Sequence, residues 1–251
     1  MLRRLIRPCF ALTATLWMSG TCGAELSNDL ATALANAAPH ANSAVIDVAA
    51  RALTCAEHAN LVRNAPTLSV IDYSRPSTEP RLWVFDVGRR KLLFEELVAH
   101  GKNTGDNQAV RFSNVPGSLM SSIGVFLTVD TYVGHNGYSL RLRGLEPGFN
   151  DHALDRDIVV HGASYVRSGM AALLGRLGRS FGCPAVRPEI ARTLIDTIRG
   201  GSLVVAYYPD STWLHGSTLV GTCSAVAANN AVERPLASVE HATRPLTAAP
   251  R

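Results

Sequence analysis

The sequence lacks the patterns by which several large function classes declare themselves. It contains no His-Glu-x-x-His and no Cys-x-x-Cys, and its histidines are scattered without ligand spacing, so a metal site is not expected. No glycine-rich loop runs into a helix, which excludes the usual phosphate cradle and leaves no cofactor to expect. No basic stripe is interleaved with aromatics, so nucleic acid is not an expected partner. Internal repeats are absent, which excludes a solenoid. Beyond the first residues no second apolar stretch is long enough to be a span, and hence no membrane span is expected once that region is removed.

The first residues read as an export signal. Arg3, Arg4 and Arg7 form a basic start, Phe10 to Met18 is apolar but short of the ~20 residues a bilayer needs, and Cys22-Gly23-Ala24 offers small residues for cleavage. The expected location is periplasmic. Loss of those three arginines takes the formal charge from +4 to near neutrality, which removes any basic field. Of five cysteines, Cys9 and Cys22 leave with the signal, and Cys55, Cys183 and Cys223 remain. An odd number in an exported chain points to one free thiol. If Cys183 is that thiol, Cys55 and Cys223 are either bridged or both unpaired.

Four regions follow from composition and periodicity: a signal at 1–24, a helical lead-in at 25–66, a β-rich region at 67–210, and a largely disordered extension at 211–251. In the lead-in, Leu30, Leu34, Ala38, Val45, Val48, Leu53 and Leu61 keep helical spacing, with Pro39 dividing two short helices. From Leu68 the pattern turns to strands, at 68–73, 81–87, 91–98, 125–130, 138–143, 157–161 and 202–208. Residues 188–198 read as a helix, entered at Pro188 and ended by Gly200-Gly201.

Cys183 is the most informative residue. It follows Gly178-Arg179-Ser180-Phe181-Gly182 and precedes Pro184, and His161 closes the apolar run Ile158-Val159-Val160. A thiol and an imidazole so placed suit a nucleophile and its base. These segments resemble the murein L,D-transpeptidase catalytic domain family, in the branch with Gly-Arg-Ser-x-Gly-Cys-Pro. The resemblance also covers 98–105, Ser121-Ser122-Ile123-Gly124, 132–140 and 144–150, and runs from about Leu68 to Tyr208. It implies a mostly-β fold, a mixed β-sandwich with the helical lead-in and a few peripheral helices.

The resemblance implies that Cys183 attacks a peptide carbonyl in a peptidoglycan stem, forming a thioester acyl-enzyme that passes to an amine. His161 is the base, and the Gly162 carbonyl orients its ring. The amides of Gly182 and Cys183 are candidate oxyanion donors, and Ser180 a hydrogen-bond partner. His100, Tyr138 and Arg179 are candidate substrate contacts; His135, Tyr132 and Asn150 are weaker ones. One departure stands out: founding members of the family carry an arginine two residues after the cysteine, where this chain has Ala185. Arg179, Arg187, Arg141 and Arg143 are candidates for its role. Alternatives are a hydrolase of the same fold, acting as an L,D-carboxypeptidase or cutting crosslinks, and a non-catalytic wall-binding module.

Overall fold

The computed structural model describes residues 21–221, with side chains from Asn28 onward. Two helices come first, α1 (Thr21–Ala37) and α2 (Ser43–His58), followed by β1 (Thr67–Asp72), β2 (Leu82–Asp86), β3 (Lys91–Glu96), β4 (Gly124–Gly134), β5 (Gly137–Gly144) and β6 (Val159–Gly162). Then come α3 (Ser168–Leu174), β7 (Ala185–Val186), α4 (Pro188–Ile198), β8 (Leu203–Tyr207) and α5 (Ser211–Gly216).

The eight strands form a single mixed sheet in the order β3-β2-β1-β8-β4-β5-β6-β7. The β1–β8 and β6–β7 pairs are parallel, and the others antiparallel. The expected mostly-β fold with a mixed sheet and few helices is what is observed. The sheet curls on itself: Ala99, just past β3 at one end, bridges Ala185 of β7 at the other, with its amide 2.8 Å from the Ala185 carbonyl. Arg187 closes the same seam with two bonds to Glu96, at 2.9 and 2.7 Å.

Strand alternation sends side chains to two cores. Leu68, Val70, Trp83, Phe85, Val125, Leu203 and Val205 pack beneath α1 and α2. Their alternates Ile71, Leu82, Val84, Phe126 and Val204 join Leu140, Leu142 and Val160 around the Leu194, Ile195 and Ile198 face of α4. Helix α2 starts where the Asn42 side chain accepts the Ala44 amide at 3.0 Å. It buries Val45, Ile46, Ala49, Leu53 and Ala56, a stripe at helical spacing rich in alanines that let it lie close to the sheet. The helical segment is therefore part of the main core.

Residues 211–221, grouped by the sequence reading with a disordered extension, are packed. Asp210 caps α5 through the Trp213 amide at 2.8 Å, Trp213 is fully buried, and Leu219 and Val220 are buried beside it. The indole Nε1 and the Ser217 hydroxyl both donate to the buried Glu146. The carboxylate also accepts the Val125 amide at 2.6 Å, which ties α5 to the start of β4. Burial raises the Glu146 pKa. Cys55 on α2 is disulfide-bonded; Cys223, suggested as its partner, lies outside the described residues, as does most of the export signal.

Candidate active site

Residues 159–162 of β6 run between β5 and β7, with His161 opposite Ser139 on one side and Ala185 on the other. That register decides the site, because Ala185 is two residues beyond Cys183. The imidazole is buried, and its Nδ1 lies 3.0 Å from the Gly162 carbonyl. A carbonyl can only accept, so Nδ1 carries the proton and Nε2 keeps its lone pair. Burial lowers the His161 pKa and the carbonyl partly opposes this, which favours the neutral ring a base requires.

The segment carrying Cys183 is stitched to 100–102 by a parallel bridge between Gly101 and Ser180. Ser180 donates its amide to the His100 carbonyl at 3.0 Å and accepts the Lys102 amide at 2.8 Å. Its hydroxyl donates to the Cys183 carbonyl at 2.6 Å and accepts the Gly182 amide at 3.1 Å, so Ser180 orients the turn. Gly182 has φ +138°, and a Cβ there would lie 2.9 Å from the Met120 carbonyl. Ser121 fastens the turn from behind by donating to the Gly182 carbonyl at 2.9 Å. The expected oxyanion role of the Gly182 amide is not seen in this arrangement, since that N–H is spent on Ser180.

The Cys183 thiol is partly exposed and donates to the Asp157 carbonyl at 3.5 Å. Burial raises its pKa; the Val159 amide, Arg156 and its own amide draw it down, and Asp157 pushes it up. Asp157 has φ +53°, a left-handed conformation that ends the 151–157 turn, with the Ile158 amide closing back onto the Ala153 carbonyl at 2.9 Å. This backbone turn directs the Asp157 carbonyl at the sulfur.

The other expected contacts are placed elsewhere or already engaged. His100 is buried, with Nδ1 accepting from Arg81 at 2.8 Å and Nε2 donating to the Gly105 carbonyl at 3.3 Å. Arg179 binds the carbonyls of Lys102 and Gly105 and the Asp106 carboxylate, holding the 102–106 loop. Tyr138 lies on the α4 side of the sheet, donating to Asp196 at 2.6 Å beneath Arg192. His135 is exposed at the β4–β5 turn, and Asn150 is buried, bound to the Val125 carbonyl and the Glu146 amide.

Ala185 is fully buried inside the sheet. Of the proposed substitutes, Arg187 is taken by Glu96, Arg141 pairs with Asp130 and covers Tyr132, and Arg143 is exposed on β5. The structure instead places Arg156 beside the cysteine turn, its Nη2 3.5 Å from where a Cβ on Gly182 would stand. Tyr165 also feels the cysteine charge, and burial together with that charge pushes its pKa up to about 12. Neither residue announces itself in sequence. Arg156 precedes β6 without a motif, and Tyr165 sits in the connection beyond His161.

Residues 37–207 match the family model described as an L,D-transpeptidase catalytic domain. The chain belongs to that family. Among solved structures, the chain is similar to an L,D-transpeptidase from Mycobacterium smegmatis, at 14% identity and a TM-score of 0.36. That match covers 57% of this chain and 59% of the other, so this chain spans less than two thirds of that structure's length. It is also similar to an L,D-transpeptidase from Stackebrandtia nassauensis, at 14% identity and a TM-score of 0.35, covering 74% of this chain and 93% of that one. No curated protein matches the sequence. The matched L,D-transpeptidase segment contains α2 and all eight strands together with His161 and Cys183. Among the described residues, no helix is long and apolar enough to cross a membrane.

Proposed function

We propose that the protein is a cysteine-dependent L,D-transpeptidase acting on peptidoglycan stems in the periplasm. The observation that supports this reading is the β6–β7 register, His161 opposite Ala185, because β7 begins two residues after Cys183. The Gly162 carbonyl fixes the tautomer with Nε2 free. In the proposed reaction Sγ swings from the Asp157 carbonyl and gives its proton to His161 Nε2. The thiolate adds to the stem carbonyl, and collapse of the tetrahedral adduct forms the thioester as the leaving amine takes that proton. An acceptor amine then attacks the thioester, losing a proton to His161 and restoring the thiol. The Cys183 and Val159 amides, which act to lower the thiol pKa, are the oxyanion donors of this reading.

The test uses mature protein with its disulfide intact, incubated with disaccharide-tetrapeptide and an excess of a D-amino acid. The expected products, followed by mass, are crosslinked dimers and stems with the terminal D-Ala exchanged. Cys183→Ala should yield neither, and should also lose the acyl adduct formed with a carbapenem. Tripeptide alone, with the acceptor unused, would show the hydrolase instead; products from the Cys183→Ala protein would remove Cys183 as nucleophile.

A further inference from the structure

Arg156 carries a positive charge that no carboxylate neutralises among the described residues. Its Nη1 donates to the Ser113 carbonyl and the Ser122 hydroxyl, both at 2.5 Å. Its Nη2 donates to the Met120 carbonyl at 2.6 Å and the Ser118 hydroxyl at 3.1 Å. These four neutral dipoles hold the guanidinium without cancelling its charge. The Met120 carbonyl that it binds stands 2.9 Å from the point where a Cβ on Gly182 would be, and Nη2 itself stands 3.5 Å from that point. The guanidinium thus lies against the backbone immediately before Cys183. The carbonyl of the next residue, Asp157, accepts the thiol. Side chain 156 thus lies beside Gly182 while backbone 157 accepts the Cys183 thiol, so two consecutive residues meet the cysteine turn. Burial raises the thiol pKa and Arg156 opposes that rise, while burial lowers the Arg156 pKa and the cysteine charge opposes that fall. Burial lowers the His161 pKa and the Gly162 carbonyl opposes this.

We propose that Arg156 is the charge partner of the Cys183 thiolate: once His161 has taken the thiol proton, the sulfur anion is held against the guanidinium. The fold thereby provides from the base of β6 the arginine that this chain lacks at position 185. Its role here is to position and hold the sulfur anion. This rests on reading Cys183 as the nucleophile, but the experiment needs no peptidoglycan, so its failure and that of the proposed activity are separately visible.

The thiolate is titrated by its ultraviolet absorbance and by the pH dependence of iodoacetamide alkylation, with Cys183→Ser as the blank. Removing a cation close to a thiolate should raise the thiol pKa by about one unit or more. Arg156→Gln should therefore shift the profile upward by that amount and slow alkylation near neutral pH about tenfold, while Arg156→Lys should recover most of the shift. His161→Gln should leave the thiol pKa within about half a unit of wild type, because a neutral ring contributes no charge. A folded Arg156→Gln protein that titrates with wild type overturns the proposal. So does a His161→Gln protein whose thiol moves up by a unit or more, and this second arm decides the matter even if Arg156→Gln does not fold.

Discussion

The burial of His100 predicts an acid-labile fold. The ring is 1% exposed, and its Nδ1 faces the guanidinium of Arg81, itself buried and with its pKa lowered to about 10. A guanidinium can only donate, so Nδ1 must remain unprotonated. Burial first, and Arg81 second, lower the His100 pKa from 6.5 to about 4. In the unfolded chain the ring titrates near 6.5. Between these values the unfolded chain holds a proton that the folded one refuses, so stability falls as pH drops from 6.5 to about 4 and is unaffected above that window. At about 1.4 kcal/mol per unit the full loss is on the order of 3 kcal/mol, a large share of the ~5–15 kcal/mol that holds a typical domain. His100→Gln offers Arg81 an amide oxygen and carries no titrating charge. Urea unfolding near pH 7 and near pH 4.5, with the disulfide intact, measures the difference. Carboxylates and His161 titrate in both proteins and drop out of the comparison. Wild type should lose about 2–3 kcal/mol more than the variant, or about 1 M in urea midpoint at an m-value of ~2–3 kcal/mol/M. Equal losses in the two proteins would refute the assignment of the acid sensitivity to His100.

Gly182→Ala places a Cβ at φ +138° against the Met120 carbonyl and Ile158. It should cost about 2–4 kcal/mol through strain and overpacking and slow iodoacetamide labelling of Cys183; an unchanged urea midpoint and labelling rate would contradict the tight turn described. Trp213→Ala empties a fully buried site and removes an indole donor from Glu146, so a loss of about 3–5 kcal/mol in urea unfolding is expected. Wild-type stability in that variant would mean that residues 211–221 do not belong to the folded unit.

Much of the sheet was legible because each strand carries its own signal. The runs at 82–86 and 203–207 are largely apolar with aromatic or β-branched side chains, 67–72 carries Val70, Ile71 and Thr67, and 91–96 pairs with 82–86 as a hairpin across a short turn. Helix α4 was legible at both ends, because Pro188 suits a first helical turn and Gly200-Gly201 adopts positive φ. Strand β7 was not, since two residues have no period; it exists only because β6 and the chain after β3 flank it. The packing of α5 was missed for a related reason. Six residues among polar neighbours look like a tail until Glu146, 67 positions from Trp213, supplies a buried partner.

By itself the sequence determined that a thiol in a glycine-bounded turn and a histidine at the end of a buried strand are the residues to examine, because backbone conformation and strand burial are local demands on residue type. The tertiary structure alone decided their neighbours. It committed His100, Tyr138 and Arg179 to other partners and brought Arg156 to the cysteine turn. Charge and hydrogen-bond partnership depend on distances across the fold, and those are set where the sheet curls and closes at its seam, between segments with no pattern in common.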